Sequence, residues 1–538
     1  MTMTSHHGSG RDRARRQPAR TEYPRRHADQ TRPKQSGGGQ NSTAKGVGAK
    51  ISAVLDAPQL NYKVILSITL MLTAIGLTMV LSSSMVTART PDTSVWSVFL
   101  NQALYVVLGL VVAWLALRLR PDTIKAISPW LLGLALFLQV ALFIPGVGVG
   151  AEIGSHSWIR FGSFGIQPSE LSKVALAVWG AAEISSKTRQ TDEFRPALGR
   201  FLAVGTAMVL LVLLQKDLGM MLTVGIVLMA LFFFSGVSAR LIALVGGVIA
   251  LLATGATIAQ AYRSDRITTW KDTLFLNFRE GSTSGPSYQS YQGLLSLSDG
   301  SLTGTGLGQS RAKWYYLPEA KNDFIFAIIG EELGWVGAII VVALFAFLGW
   351  FGIRTALAQA DPFLSMLAAT LTLGIVVQAL YNISYVVGLM PMTGIQLPLI
   401  SAGGTSMVIT LGSLGLLANC ARHEPKAISS MQHEGRSLFD RMFLLPEPLP
   451  YRAGEERRIE RRNTTQRYGR PVTRRESTAG TAGQDVRRER DRNRRAQERL
   501  PHRDRVPDYD GTNSWHRQEP LPQRRSRSSA NRYSPRRK

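Results

Sequence analysis

Residues 198–235 read LGRFLAVGTAMVLLVLLQKDLGMMLTVGIVLMALFFFS. Two apolar runs, 198–215 and 217–235, are separated only by Gln215-Lys216-Asp217. A bilayer core of about 30 Å takes roughly 20 apolar residues in a helix, so the stretch predicts two membrane spans joined by a tight polar turn. Working outward, similar runs recur from Val64 to Leu417. They place spans near 64–84, 97–117, 127–147 and 169–185 before the quoted pair, and near 239–261, 324–352, 363–387 and 398–419 after it. The fourth is short and polar at its start. The expected fold is an all-α polytopic membrane domain of about ten transmembrane helices over 63–420, with a large loop at 262–322 between spans seven and eight.

The charge lies mostly outside that domain. Residues 1–62 hold 11 Lys+Arg against 4 Asp+Glu, and residues 421–538 hold 30 against 16, so the two ends carry +7 and +14 of the formal +25. The middle is nearly balanced, which argues against nucleic-acid binding as the core activity. Both ends, 1–62 and 421–538, read as disordered basic tails, too polar to offset their ordering entropy by burial. Their candidate contacts are anionic lipid, at about 1 kcal/mol per basic residue near the surface, or protein partners. The single cysteine, Cys420, rules out an intrachain disulfide. One histidine, His156, lies in the middle region, which argues against a His triad or His-rich metal site. No cleavage signature follows the first apolar run, so no removable signal peptide is expected, and no internal repeat supports an inverted-repeat transporter.

An even number of spans puts both tails on one side. The short loops on that side carry Arg118, Arg120, Lys125, Lys187, Arg189, Arg195, Arg200, Arg240 and Arg354, while the opposite short loops carry few cations. By the positive-inside rule the tails are cytoplasmic, and the long loops at 148–168 and 262–322 are external.

A charge at bilayer depth costs about 2.5–3.5 kcal/mol on insertion scales. Glu170, Lys173, Lys216, Asp217, Asp323, Glu331 and Glu332 nevertheless lie at or inside span ends. Such groups either pair between helices or face a wet cavity. Asp323 begins the eighth span, where a carboxylate also suits a helix N-cap. Glu331 and Glu332 read as packing or pairing residues. The loop before Asp323 interleaves Arg263, Arg266, Lys271, Arg279, Arg311, Lys313 and Lys321 with Trp270, Tyr288, Tyr291, Trp314, Tyr315 and Tyr316. That composition suits lipid headgroups and an anionic lipid-anchored sugar, or a plain interfacial helix. Gly304-Thr305-Gly306-Leu307-Gly308 has no preceding strand and is not a nucleotide loop. Pro391, Gly394, Pro398 and Ser401-Ala402-Gly403-Gly404 break the backbone at membrane depth, which is tolerated in a protein-buried turn or a cavity wall.

These residues resemble the SEDS family, the shape, elongation, division and sporulation proteins. The matching stretches are Trp158-Ile159-Arg160, Ile166-Gln167-Pro168-Ser169-Glu170-Leu171-Ser172-Lys173, Asp217-Leu218-Gly219, Gly306-Leu307-Gly308, Tyr316-Leu317-Pro318-Glu319-Ala320 and Asn322-Asp323-Phe324-Ile325-Phe326. Ile329-Gly330-Glu331-Glu332-Leu333-Gly334 and Leu397-Pro398-Leu399-Ile400-Ser401 with Gly403-Gly404 complete the set, in family order. The Tyr-Leu-Pro-Glu-Ala form resembles the division branch, and the long basic tails its actinobacterial members. The chain departs from the family at Lys321-Asn322 before the Asp, at Gln215-Lys216 before Asp217, at Ser157, at Ala402 and at Glu280 to Gln289.

The resemblance implies a plasma-membrane peptidoglycan glycosyltransferase acting at the division septum, using lipid II beside a class B penicillin-binding protein. It implies Asp323 as the catalytic carboxylate, with Arg160, Glu170 and Lys173 lining the cavity. A base at Asp323 would activate the acceptor hydroxyl, and cations would stabilise the leaving pyrophosphate. Arg160, Lys173, Lys216 and Lys313 are candidates for the latter, with Trp158 and Ser401 as further contacts. A divalent cation, Mg2+ or Mn2+, could share Asp323 with substrate phosphate; no motif marks one. Two rivals remain, a lipid II flippase and a division scaffold whose tails recruit partners.

Overall fold

The computed structural model describes residues 56–87, 95–149, 156–161, 164–186, 194–258, 261–278, 285–313, 317 and 320–451. Most of both tails, Trp314-Tyr315-Tyr316 and Pro318-Glu319 lie outside the described residues. From the first tail the chain enters α1 (Leu60–Thr87), α2 (Val95–Arg118), α3 (Pro121–Ala141), α4 (Pro168–Ser185), α5 (Phe194–Leu214), α6 (Leu218–Phe234) and α7 (Ala239–Ile258). The long loop holds α8 (Ala261–Leu274) and α9 (Pro286–Asp299). Then come α10 (Ile325–Ala358), α11 (Pro362–Val386) and α12 (Gly404–Arg422).

Apart from the two loop helices, these ten follow the ten expected spans. Eight are long and apolar enough to cross a membrane. The other two are α6, an apolar helix of 17 residues, and α4, with 18. At 1.5 Å per residue they run about 25–27 Å, slightly under the bilayer core. The α4 sequence is also diluted by Ser169, Glu170, Ser172, Lys173 and Glu183. The chain is a multi-pass membrane protein.

The local sequence sets the helix starts. Pro121, Pro168 and Pro362 occupy first-turn positions where the missing N–H costs nothing. Asp361 caps α11 through the Phe363 N–H at 2.9 Å, and Asp217 caps α6 through the Met220 N–H at 3.0 Å. Helix α12 lies close along α2: a Cβ on Gly415 would sit 2.6 Å from the Ala113 backbone. Small residues permit such approach where lipid supplies no hydrophobic drive between helices. On the periphery, α7 buries only Val245 among its side chains, and Leu251 and Ile258 are among its exposed residues.

The expected helical class holds, and the 142–167 connection adds a three-stranded antiparallel sheet, β1 (Gly148–Val149), β2 (Trp158–Phe161) and β3 (Phe164–Ile166). Arg160 pairs with Gly165 across the β2–β3 register. Two narrower expectations are corrected. The folded chain does not stop at 420. Helices α13 (Pro425–Glu434) and α14 (Leu438–Met442) follow, with Ala427, Ile428, Met431, Asp440 and Leu445 buried. Buried Arg422 meets Asp440 at 3.4 Å, and Tyr62 donates to the same carboxylate at 3.0 Å. A polar segment thus gains order from contacts with α1 and α12 that its own composition does not advertise. The second correction concerns Asp323. The N-cap of α10 is Phe324, without a side-chain cap, so Asp323 precedes the helix.

Helix α10 is broken at Gly334, where φ is +66°. Two helical bonds are lost there, from the N–H groups of residues 335 and 336 to the carbonyls of 331 and 332. All four groups find partners in the loop. Trp335 N donates to Ser301 O at 3.0 Å and Val336 N to Leu302 O at 3.3 Å. Thr305 N donates to Glu331 O at 2.9 Å and Gly306 N to Glu332 O at 3.1 Å. The loop segment 301–306 therefore seals a helix break, which answers the requirement that buried backbone groups be paired.

Candidate active site

Alternating helices bring the 142–167, 215–217, 259–324 and 388–403 connections to one end of the bundle. The last of these organises the site. It is irregular, with Leu399 at φ +64°, and together with the first turn of α12 it bonds to the long loop, to α2 and to the sheet. Ala402 N donates to Lys321 O at 2.9 Å, Gly403 N to Gln102 Oε1 at 3.3 Å, and Thr405 Oγ1 to Gly165 O at 2.6 Å. Ser401 is buried, and its hydroxyl accepts from Leu397 N at 2.8 Å. It braces the loop.

Asp323 lies half-buried in the turn before α10. Its backbone carbonyl accepts from Asn382 Nδ2 and from Tyr385 Oη, each at 2.9 Å. Its Oδ2 lies 3.4 Å from where a Cβ on Gly394 would stand. Gly394 has φ +80°, a conformation that suits glycine.

The second group starts from α4. Buried Glu170 meets Lys173 Nζ at 3.0 Å one turn on, and Lys173 donates to Gln378 Oε1 at 2.7 Å. Gln378 Nε2 donates in turn to Gln396 O at 3.1 Å, back on the loop. A cavity of about 30 Å³ beside them is lined by Pro398, Thr410 and Ser413 as well. That is room for water at a polar site. Gln378, Asn382 and Tyr385 occupy i, i+4 and i+7, hence one face of α11. This polar stripe spans about 10 Å and joins the Glu170–Lys173 pair to Asp323. Its residues were missed in the sequence, although an i, i+4, i+7 polar set in an apolar helix is a readable signal.

The other predicted residues fall in two places. Trp158 packs over Gly165 on the sheet, its ring 3.3 Å from where a Cβ there would stand. Arg160 is exposed on β2, and Lys216 is exposed in the α5–α6 turn at φ +61°. Sheet and turn adjoin, since His156 N donates to Gln215 O at 3.0 Å and Gln167 Nε2 to Asp217 Oδ2 at 3.3 Å. These cations border the same end of the bundle. Lys313 does not serve there. It is buried and pairs with Glu332 at 2.9 Å, both side chains at most 1% exposed. Ser82 also donates to Glu332, at 2.7 and 2.6 Å. Glu331 accepts from Ser310 Oγ at 2.7 Å and Arg311 N at 2.5 Å. Both glutamates fasten the loop to the helix break, and Lys313 is spent as a counter-ion. From the long loop, Arg266 on α8 donates to Met392 O at 3.3 Å, bringing a guanidinium to the organising loop. Among the described residues no three His, Cys, Asp or Glu side chains gather to hold a metal. Asp323 could offer one carboxylate to a cation held chiefly by substrate phosphate.

The sequence profile of the FtsW/RodA/SpoVE family, described as cell cycle protein, matches residues 62–426. The chain is 38% identical over 402 residues to a probable peptidoglycan glycosyltransferase FtsW of Mycobacterium tuberculosis, covering 75% of each chain. It is 36% identical to the stage V sporulation protein E of Bacillus subtilis, covering 66% of this chain and 95% of that one. A chain of a solved peptidoglycan synthase complex superposes with a TM-score of 0.52 at 24% identity, covering 67% of this chain and 97% of its own. That likeness concerns the fold, and the sequence relatives concern descent. The profile match takes in all ten spans together with every segment that meets at the loop end, and the chain accordingly belongs to the FtsW/RodA/SpoVE family of cell cycle proteins.

Proposed function

We infer that this chain is a peptidoglycan glycosyltransferase that polymerises lipid II into glycan strands during septal wall synthesis. The observation that carries the reading is the half-buried carboxylate of Asp323, set against the Cβ-free wall of Gly394 and joined by one polar stripe to the Lys173 ammonium. The names of the curated relatives support the same activity.

In this mechanism Asp323 takes the proton of the acceptor sugar's 4-hydroxyl. The oxygen attacks the anomeric carbon of the donor from the face opposite its pyrophosphate. The new glycosidic bond forms as the anomeric C–O bond breaks, with inversion, and undecaprenyl pyrophosphate leaves. General base catalysis is typically worth about 10²–10⁴-fold. Charge builds on the departing phosphate, where preorganised cations act most strongly. Lys173, with Arg160 and Lys216 at the rim, fills that role, while Glu170 holds Lys173 in place and Trp158 offers a stacking face. Asp323 is the residue that would hold a divalent cation, which would supply charge neutralisation for the departing pyrophosphate.

The positive-inside bias puts both tails in the cytoplasm and the site at the outer surface. There the basic-aromatic loop receives a lipid-anchored anionic sugar. A class B penicillin-binding protein is the partner, a reading supported by the occurrence of this fold in a peptidoglycan synthase complex. The tails would recruit divisome proteins or bind anionic lipid. The test is lipid II polymerisation by the purified chain, with and without its transpeptidase, comparing Asp323→Asn and Asp323→Ala with the parent. Loss of product is expected in both, and full activity would remove Asp323 from the mechanism. A flippase would make no polymer in detergent, and a scaffold would survive Asp323→Ala but not tail deletion.

A further inference from the structure

We propose that Asn382 and Tyr385 are positioning residues for the reaction, a clamp that fixes Asp323 relative to the wall it faces. The inference rests on the reading of Asp323 as the base. The α10 ladder does not take up the Asp323 backbone carbonyl. Ala327 N, the group that would reach back to Asp323 O in a helix, donates instead to Phe324 O at 2.9 Å. The Asp323 carbonyl therefore lies outside the α10 ladder, and the donors it accepts from are side chains of α11.

The same two side chains also hold the opposite wall. Asn382 Nδ2 lies 2.7 Å and Tyr385 Oη 2.9 Å from Ile395 O, and Nδ2 lies 2.7 Å from Oη. The two amide hydrogens and the one phenol hydrogen are shared between the carbonyls of Asp323 and Ile395. Ile395 follows Gly394, whose missing Cβ leaves the space in front of Asp323 Oδ2. One amide and one phenol thus bridge the backbone behind the carboxylate and the backbone before it.

The cost of the arrangement also points to a role. Asn382 is fully buried, and its Oδ1 has no hydrogen-bond partner. Leaving a buried acceptor unsatisfied is destabilising, so the amide is there for its donors. Tyr385 packs edge-on against Phe324 at 5.8 Å and against Tyr381 at 6.3 Å. Those ring contacts would survive without the hydroxyl.

The decisive variant is Tyr385→Phe in the full-length chain, assayed for lipid II polymerisation alone or with its transpeptidase, whichever preparation is faster. Tyr381→Phe is the control. It removes a neighbouring hydroxyl that donates to Pro391 O at 3.2 Å, on the same loop, rather than to Asp323 O. A misplacement of about 1 Å can cost about 10²-fold in rate. Tyr385→Phe is expected to lower kcat by about 10- to 100-fold, with KM for lipid II and the unfolding temperature unchanged and Tyr381→Phe close to the parent. Parental kcat in Tyr385→Phe would overturn the clamp, as would a loss that tracks a lowered unfolding temperature or appears equally in Tyr381→Phe. Asp323→Asn in the same series separates the two levels. If it is inactive while Tyr385→Phe is normal, only the clamp falls; if it is active, the base falls and the clamp with it.

Discussion

Lys313→Met separates a structural cation from a substrate-binding one. The sequence offers Lys313 as a pyrophosphate ligand, whereas the structure buries it against Glu332 at 2.9 Å. Two unit charges at that distance attract by about 6 kcal/mol at an effective dielectric near 20. After Lys313 is removed, Glu332 keeps the Ser82 hydroxyl and, at 3.4 Å, the Ser310 N–H. The remaining cost is that of a buried carboxylate without its counter-ion, about 3–5 kcal/mol. Neutralising both partners should recover most of it, because the uncompensated charge is then gone. The assay is unfolding in detergent by heat or denaturant, run beside lipid II polymerisation, for Lys313→Met, Glu332→Gln and the double variant. The expected result is a large loss of stability in Lys313→Met and substantial recovery in the double variant, with activity following the folded fraction. If Lys313→Met unfolds like the parent but polymerises poorly, and the double variant stays inactive, Lys313 binds substrate and the counter-ion argument is wrong.

Other perturbations test other joints. Gly334→Ala places a Cβ 2.4 Å from Gly304 N and 2.5 Å from Leu302 O, both backbone atoms, at φ +66°. A loss of at least about 1–3 kcal/mol is expected from the backbone strain alone, whereas Gly255→Ala, with nothing within 4 Å, should be neutral or mildly stabilising in the same melt. Asp440→Ala leaves the Arg422 guanidinium buried without its carboxylate, at about 3–5 kcal/mol. Trypsin should then cut sooner at the exposed Lys426 and Arg436, and a parental digestion rate would contradict the docked segment. Lys173→Met should reduce the polymerisation rate by about 10²–10³-fold if the ammonium stabilises departing phosphate charge, with Lys173→Arg retaining more; a parental rate in Lys173→Met would exclude that role.

The ten spans were legible because lipid imposes one requirement on each segment separately. An apolar helix near the bilayer thickness satisfies its own backbone, and residues 198–235 declare two such helices without reference to the rest of the chain. The family resemblance likewise singled out Asp323, Glu170 and Lys173, and the structure joins them through Gln378, Asn382 and Tyr385. Pairings between distant segments could not be read in the same way. Lys313 and Arg160 are both basic residues near aromatic neighbours in the sequence. Only the packing of 310–313 against α1 and the α10 break turns the first into a buried counter-ion and leaves the second exposed. The sheet at 148–166 and the docked segment 425–447 went unseen for a related reason. The strands are too short to show an alternation, and the single amphipathic turn that buries Ala427, Ile428 and Met431 is set among polar residues whose ion pairs are made with distant segments. What lipid demands of each helix separately is written along the chain; which charge meets which depends on the three-dimensional neighbours that desolvate and pair it.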